Sequence, residues 1–303
     1  MNFMSKIGVL IYTYNCTDDA RINMEIIRNV WKKNELLKDI KIVHAFNGQK
    51  EWWPDKYLED ELLYLDNPGH FAGAELLINE GMKCFSEKYA DMDYIVVLAS
   101  DTWLIKPEYL AEILKSMNKD NKYLATCPWG TIEKDNMWNI GMAIDFAIFD
   151  LKWSFQNHLF PIRYEEFFQK YHEVFFYNDE IIYPERVLAV RFKQAIYNST
   201  KLPSENLLRK VADEHVYRMR EREPIHDKKK LFRIKKGRKM YWPNMGLISY
   251  HEPEPKQALL KKAGLELGEN GKRLVTSKDL SYYNLGVKKT VFVKGDKQVG
   301  YGD

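Results

Sequence analysis

The sequence predicts an α/β fold in which a mostly parallel β-sheet is flanked by helices. Three observations carry this prediction. Short apolar runs such as residues 7–14 are typical of strands that are buried on both faces. The segments between these runs repeat apolar residues at helical spacing, and the two kinds of segment alternate along the first 117 residues. Such alternation favours parallel strands, because each helix returns the chain to the edge where the next strand starts.

Four strands and three helices are predicted in this first part. Runs of β-branched and aromatic residues define the strands, and the second strand ends at the turn pair Asn47-Gly48. The third helix follows Pro107, since proline is favoured in the first turn of a helix. The predicted strands are 7–14, 40–46, 61–65 and 93–98, and the predicted helices are 20–34, 72–89 and 108–117.

The second part of the chain is less regular. Pro184 lies inside one predicted helix, and it marks either the true start of that helix or a kink in it. The tail after residue 264 is polar and rich in glycine, and no element is predicted there. The predicted strands are 123–128, 141–149 and 246–250, and the predicted helices are 164–172, 178–197 and 255–263.

The composition is that of an ordinary globular protein. Of 303 residues, 45% are hydrophobic and 29% are charged. The formal net charge of +3 is too small to indicate a nucleic-acid partner. The three cysteines are an odd number at wide spacing, which gives neither a disulfide framework nor a zinc pattern and fits a reducing compartment. The sequence has no signal-peptide pattern and no apolar run of about 18 residues, so we expect a cytoplasmic protein without a transmembrane segment.

Basic charge is concentrated in one segment. Residues 228–239 contain eight lysine and arginine side chains. A solvated loop is the ordinary interpretation of such a run. A mobile lid over a bound diphosphate, or a contact with an anionic lipid surface, are the functional interpretations. Any membrane association would then be peripheral.

The loops that follow the predicted strands are candidate site segments, because ligands of parallel sheets bind beyond the carboxyl ends of the strands. Three loops meet this condition, at 13–19, 66–73 and 99–103. The glycines of the second loop permit a close backbone approach, and the helix that follows it offers backbone N–H groups to a phosphate. A single glycine-rich turn is also common without any ligand.

Asp101 is the first candidate for chemistry. It follows a buried strand, so its carboxylate projects from the edge of the sheet. A hard dication bound with a diphosphate needs carboxylate oxygens of this kind, and it stabilises the charge of a leaving group. The competing interpretation is a turn or helix-capping residue, a common role for aspartate.

Two further candidates lie in the second part. His251 ends a predicted strand, and a neutral imidazole is a good ligand for divalent transition metals such as manganese, although a lone histidine is more often structural. Asp179, Glu180 and Glu185 cluster near a predicted helix start, where the helix dipole favours carboxylates in any protein. Their functional interpretation is a general base for an acceptor hydroxyl.

Taken in order, these segments resemble the GT-A glycosyltransferases, in particular the large family-2-like group. The shared pattern is a T-x-N-like loop after the first strand, an N-x-G-x-x-x-A segment that opens a helix, and a D-x-D-like motif before a Pro-led helix. Together these motifs match over residues 7–117. Here they are Tyr12-Thr13-Tyr14-Asn15, Asn67-Pro68-Gly69-His70-Phe71-Ala72-Gly73-Ala74 and Ala99-Ser100-Asp101.

The resemblance implies a GT-A type, Rossmann-like fold with a less regular C-terminal half on the acceptor side. It also implies a domain organisation. Residues 1–252 would form the glycosyltransferase domain, with a nucleotide-sugar half at 1–120 and an acceptor half at 121–252. Residues 253–303 would form a C-terminal helix and an extension packed on that domain.

The resemblance assigns roles to the motif residues. The first loop would hold the base and ribose, and the second would line the nucleotide site. Asp101 would bind the metal, and His251 looks like the late histidine that completes metal binding in many GT-A enzymes. The implied nucleotide-sugar-binding residues are Tyr12, Thr13, Tyr14, Asn15, Asn67, Gly69, His70, Gly73, Ser100 and Asp101.

The implied catalytic residues are acidic. Asp179-Glu180 resembles the acidic pair that heads the base-bearing helix of inverting members, and a rival register places Glu185 in that position. The sequence departs from the family pattern twice. Ala99 stands where the first acid of D-x-D would be, and the acidic pair is Asp-Glu where the family has Glu-Asp.

The implied function is transfer of a hexosyl or pentosyl group from a nucleoside-diphosphate sugar, with a UDP-sugar favoured, to a glycan or another hydroxyl acceptor. The resemblance implies an inverting reaction assisted by a divalent metal, Mn²⁺ first and Mg²⁺ as the alternative. The missing first acid keeps a second hypothesis open, a non-catalytic module that binds a sugar nucleotide or a glycan. A nucleotidyltransferase is the third hypothesis, although residues 12–19 lack the basic, glycine-rich signature it would usually need.

Overall fold

The computed structural model describes residues 5–68, 70–104, 107–126, 142–162, 184–201, 214–219, 240–242 and 247–249. Within these ranges the predicted fold class is confirmed, since a mostly parallel sheet is flanked by helices. The predicted helices at 164–172 and 255–263, the basic run, the tail after 264 and the boundary at 252/253 lie outside the described residues.

The main sheet has seven strands in the order β3-β2-β1-β4-β7-β6-β8. β3, β2, β1 and β4 are parallel, β7 runs antiparallel to both of its neighbours, and β6 and β8 are parallel to each other. One reversed strand therefore joins the two parts of the sheet. The strands are β1 Ile7–Thr13, β2 Lys41–Phe46, β3 Glu61–Tyr64, β4 Tyr94–Ala99, β6 Leu124–Thr126, β7 Phe146–Asp150 and β8 Val216–Arg218.

A second sheet of three antiparallel strands has the order β5-β10-β9. Its strands are β5 Thr102–Leu104, β9 Met240–Trp242 and β10 Leu247–Ser249. The sequence predicted β10 but neither β5 nor β9. Among the described strands, the partner of β5 is β10, which comes far later in the chain, so no local pattern reveals β5.

Five α-helices accompany the sheets in the described residues. They are α1 Thr17–Asn29, α2 His70–Lys88, α3 Pro107–Lys119, α4 Leu151–Gln156 and α5 Pro184–Thr200. α1 is shorter than the predicted 20–34, because the chain continues in two 3-10 helices, Trp31–Lys33 and Glu35–Leu37. Pro184 is the first described residue of α5, and the residues before it lie outside the described ranges, so its two interpretations stay predictions. The sequence did not predict α4, although Asp150 caps it by accepting a hydrogen bond from Trp153 N at 2.8 Å.

Alternation along the strands divides the core into two layers. Val9 and Ile11 face α1 and α3, whereas Leu10 faces α2 and α5. The second layer is tightly packed, because a Cβ atom added at Gly81 of α2 would lie 2.2 Å from Leu10 Cδ1. α2 therefore sits directly on the sheet, and its first turn lies near the strand ends.

No helix within the described ranges is long and apolar enough to cross a membrane. The thiols of Cys16 and Cys84 are both buried.

Candidate functional site

The ends of β1, β2 and β4 lie side by side at the carboxyl edge of the sheet. In the strand register Tyr12 is the partner of both Ala45 and Ala99. Backbone hydrogen bonds continue past the strands, from Ser100 N to Tyr12 O and from Asn47 N to Thr13 O, both at 3.2 Å. The loops that follow the three strands are thereby held together, as the rule for parallel sheets predicts.

The loop before α2 reaches the same edge. A Cβ atom added at Gly73 would lie 2.9 Å from Asn47 Nδ2 and 2.9 Å from Asn67 Oδ1. Only glycine allows this approach, so Gly73 lets two amide side chains pack against the first turn of α2. Asn67 and Gly73, which the sequence places in the nucleotide site, are thus brought to the end of β2.

Two buried amides at this edge lack part of their hydrogen bonding. Asn15 is 2% exposed, and its Nδ2 has no hydrogen-bond partner among the described residues. Asn47 is 4% exposed, and its Oδ1 is without a partner in the same part of the chain. A buried polar group without a partner costs about 1–3 kcal/mol, so a ligand with both a donor and an acceptor would relieve both amides.

The turn after β4 carries Asp101 and is held by a side chain of α1. Asn23 of α1 is fully buried and donates from Nδ2 to Thr102 O at 2.8 Å, with Ala99 O at 3.4 Å and Ser100 O at 3.5 Å. Asp101 itself is 7% exposed. One side chain thus contacts three carbonyl groups around Asp101, and the backbone that carries the carboxylate is held in one conformation.

Thr13 is turned away from the site. Its Oγ1 lies 3.0 Å from His44 Nε2 in a hydrogen bond inside the core next to α1. Burial lowers the pKa of His44, so this imidazole is neutral at pH 7. The hydroxyl group of Thr13 is therefore engaged by the protein, and its backbone remains the part that lies at the strand end.

Glu59 lies on the other side of His44, with Oε1 3.9 Å from His44 Nδ1. That separation is too long for a hydrogen bond, and because His44 is neutral at pH 7 the contact is between a carboxylate and a polar imidazole. Burial acts to raise the pKa of Glu59, but the contact with His44 and hydrogen bonds from Trp53 Nε1 and Tyr57 N outweigh it and lower the pKa to about 2. The Glu59 carboxylate is therefore ionised, and it anchors the segment that precedes β3.

Tyr12 and Tyr14 line the β1 end. Tyr12 packs against the core next to α2, and the Tyr14 ring lies 6.2 Å from that of Trp52. A Cβ atom added at Gly48 would lie 2.2 Å from Tyr14 O, so Gly48 permits the β2 loop to approach this backbone. The sequence analysis treats Asn47-Gly48 only as a turn and does not place the pair at the site. Both residues follow β2, so the rule that ligands bind beyond the carboxyl ends of parallel strands applies to them as well.

Asp145 is a second residue that the sequence interpretation missed. It directly precedes β7, and because β7 is antiparallel its beginning lies at the carboxyl edge of β4. Ala99 N donates to Asp145 O at 3.0 Å. The predicted strand at 141–149 treated Asp145 as an interior residue, whereas the strand begins at Phe146.

Several predicted site residues are not tested by the structure. Gly69, Asp179, Glu180 and His251 lie outside the described residues. His70 and Glu185 belong to the first turns of α2 and α5 by their backbone alone. Their roles remain predictions.

The described residues contain no group of three or more histidine, cysteine, aspartate or glutamate side chains that could hold a metal ion. Asp101 provides one carboxylate at the strand end. This donor set fits a hard cation that is shared with a diphosphate, since Mg²⁺-like ions take one or two protein carboxylates and complete their shell with phosphate oxygens and water.

No family model and no curated protein sequence matches the chain. Solved structures that are similar to it include glycosyltransferases. One is a mannosyltransferase from Pyrobaculum calidifontis in complex with GDP-Man and Mn²⁺, at 13% identity and a TM-score of 0.35, with 51% of this chain and 47% of that chain covered. The match thus spans about half the length of that enzyme.

Two other similar structures cover more of the chain. The galactosyltransferase LgtC with donor and acceptor sugar analogues has 9% identity and a TM-score of 0.40, with 69% of this chain and 84% of that chain covered. The 4-diphosphocytidyl-2C-methyl-D-erythritol synthase from Anaerococcus prevotii has 12% identity and a TM-score of 0.36, with 69% and 97% covered.

Proposed function

We propose that the chain is a glycosyltransferase that moves a sugar from a nucleoside-diphosphate donor to a hydroxyl acceptor. One observation carries the proposal. The three loops that hold the glycosyltransferase-like motifs meet at one edge of the sheet, where Tyr12 is level with Ala99 and Asn47 contacts Gly73. The nearness of motifs that are each unspecific in sequence supports a shared ligand site at this edge.

The proposed donor site uses the buried amides. Asn15 Nδ2 and Asn47 Oδ1 would bind the polar edge of the base or ribose, because both are buried and neither has a hydrogen-bond partner among the described residues. Backbone N–H groups at the first turn of α2 would bind a phosphate, helped by the positive end of the helix dipole. A UDP-sugar carrying a hexose or pentose is the donor we favour.

The proposed chemistry is a displacement at the anomeric carbon. An acceptor oxygen of a glycan forms the new bond, its proton passes to a carboxylate, and the bond from the anomeric carbon to the diphosphate oxygen breaks with the electron pair on the leaving group. We assign the base to Asp179 or Glu180, with Glu185 as the alternative, which gives inversion. Asp101 and His251 would hold a divalent cation, Mn²⁺ or Mg²⁺, whose charge stabilises the leaving diphosphate.

The test is release of nucleoside diphosphate from a panel of UDP- and GDP-sugars, with Mn²⁺ and with a chelator. We expect release from one donor, loss of release with chelator, and at least a hundredfold slower turnover in Glu180→Gln or Asp179→Asn with donor binding retained. Normal turnover in both variants would remove these residues as the base. If no donor releases nucleoside diphosphate, the proposed glycosyltransferase activity is wrong.

A second candidate function is favoured by Ala99. Loss of the first acid of the motif suits a module that binds a sugar nucleotide or a glycan without transferring it. This alternative predicts that one donor raises the melting temperature while neither transfer nor slow donor hydrolysis occurs. Measurable hydrolysis would exclude it.

A further inference from the structure

The D-x-D-like motif has one carboxylate where two would be expected. β4 ends at Ala99, and Asp101 follows after one residue. A cation that carries a nucleoside diphosphate is commonly held by more than one protein oxygen, because two carboxylates offset more of its charge. The residue opposite Ala99 on the neighbouring strand is therefore the first candidate for a second carboxylate.

The strand register identifies the residue that lies opposite Ala99. β4 pairs antiparallel with β7, and the pairs run from Tyr94 with Asp150 to Leu98 with Phe146. The next pair in that register is Ala99 with Asp145, and the hydrogen bond from Ala99 N to Asp145 O at 3.0 Å continues the ladder to it. Asp145 is thus the cross-strand neighbour of the position where the acid is missing.

Cross-strand neighbours share a face of the sheet. Directly opposed residues have Cβ atoms about 4.5–5.5 Å apart on the same side. The alternation agrees, because Val97 of β4 and Ala147 of β7 both face the core next to α2 and α5. Asp145 is partly exposed, so its carboxylate lies at the rim of the edge and not inside the core.

An independent observation indicates a ligand at this edge. Asn15, which follows the adjacent strand β1, is 2% exposed and has a donor without a partner among the described residues. Tyr12 of the same strand pairs with Ala99. β1 and β7 flank β4 in the sheet, so Asn15, which follows β1, and Asp145, which precedes β7, lie on either side of the end of β4. A buried donor in this position is relieved by an acceptor-rich molecule such as a nucleotide.

We propose that Asp145 supplies the second carboxylate of the donor site and acts with Asp101 on the divalent cation that accompanies the nucleoside diphosphate. The proposal rests on the proposed function. The acid that the motif lacks at the end of β4 is provided from the beginning of β7. Two carboxylates from neighbouring strands, with diphosphate oxygens and water, form a donor set that Mg²⁺ and Mn²⁺ accept.

The experiment measures Mn²⁺ binding by electron paramagnetic resonance, in the presence of UDP and separately of GDP. Asp145→Asn keeps the shape of the side chain and removes its charge. We expect it to weaken Mn²⁺ binding by about 10-fold or more, and we expect the same of Asp101→Asn. Asp91→Asn is the control, because Asp91 is an exposed carboxylate that pairs with Lys6 away from the site.

A rescue variant separates a local role from a general loss of structure. Ala99→Asp combined with Asp145→Asn returns one carboxylate to the opposite position, and we expect Mn²⁺ binding to recover to within about threefold of the unmodified chain. Ala99→Asp alone places two carboxylates face to face, so we expect a lower melting temperature without metal and an increase on adding Mn²⁺ with UDP or GDP.

Two outcomes would overturn the inference. If Asp101→Asn loses Mn²⁺ binding while Asp145→Asn retains it, Asp145 has no part in the site and the proposed function stands. If Mn²⁺ binds the unmodified chain and both variants equally, the metal site at Asp101 fails as well, and with it the metal-assisted form of the proposed function.

Discussion

Asn23 Nδ2 donates a hydrogen bond of 2.8 Å to the backbone oxygen of Thr102, although the two residues belong to α1 and to the strand after the Asp101 turn. The same nitrogen lies within 3.5 Å of Ser100 O. The helix that follows β1 therefore holds the backbone of Asp101 in position. The loops at 13–19 and 99–103 are connected through this helix.

Replacing Asn23 with aspartate should damage both stability and cation binding. A carboxylate would face three carbonyl oxygens, so we expect the free energy of unfolding to fall by about 1–3 kcal/mol and Mn²⁺ binding to weaken with it. Urea unfolding and Mn²⁺ titration measure the two effects. Asn29→Ala is the control, since Asn29 lies on the same helix and its Nδ2 donates to Glu25 O and to Glu25 Oε2. Equal effects in both variants would show that helix stability alone is involved.

Replacing Gly73 with alanine should weaken donor binding more than stability. The new Cβ would lie 2.9 Å from side-chain atoms of Asn47 and Asn67, so both amides must move while the strand core is untouched. We expect calorimetry to give a dissociation constant for the nucleotide about 10-fold higher, with a melting temperature within a few degrees of the parent. Unchanged nucleotide binding would remove these amides from the donor site.

The stability of the fold should fall in acid through the His44 and Glu59 pair. Glu59 has its pKa lowered from 4.5 to about 2, so its contribution is complete above pH 4.5 and is lost as the pH falls toward 2. The pKa of buried His44 is also lowered, from 6.5, so the unfolded chain binds a proton more readily and stability begins to fall below pH 6.5.

Urea unfolding across pH tests this pair. Glu59→Gln should flatten the dependence between about pH 4.5 and 2, and His44→Gln should flatten it just below pH 6.5 while leaving an amide near Thr13. If the free energy of unfolding depends on pH in the same way in the parent and in both variants, other groups cause the acid sensitivity.

Asn79 of α2 should hold in place the chain segment that follows α4. Its Nδ2 donates to Ile162 O at 2.6 Å, and its Oδ1 accepts from Ile162 N at 2.7 Å. Asn79→Ala leaves both backbone groups without partners, so we expect a loss of about 1–3 kcal/mol in unfolding free energy. Asn79→Asp keeps the acceptor for Ile162 N but places a carboxylate oxygen against Ile162 O, so we expect a loss of similar size. Chemical denaturation gives both values.

The sequence predicts the parts of the fold that depend on local pattern. β1, β2 and β4 are continuous apolar runs, and α2 and α3 repeat apolar residues on one face, so each was predicted near its observed bounds. β5 has only three residues and is defined by a distant partner, which no local pattern encodes.

The site could be predicted only where one rule sufficed. Residues after β1 and β4 were predicted because they follow strands. The ends of these two strands lie side by side, and the roles of the residues stay predictions. Asp145 was missed because it precedes a strand, and its position at the edge depends on the reversed direction of β7 and on its register with β4. Asn47 was assigned to a turn because the pair Asn-Gly is also a frequent turn signal.

The reversal of β7 also links the carboxyl edge of β4 to a strand beyond its direct neighbour. Thr126 Oγ1 at the end of β6 donates to Ala143 O at 2.8 Å, two residues before Asp145. A change of side chain at Thr126 should therefore disturb the backbone that enters β7, and with it the edge beside Ala99, although β6 does not pair with β4.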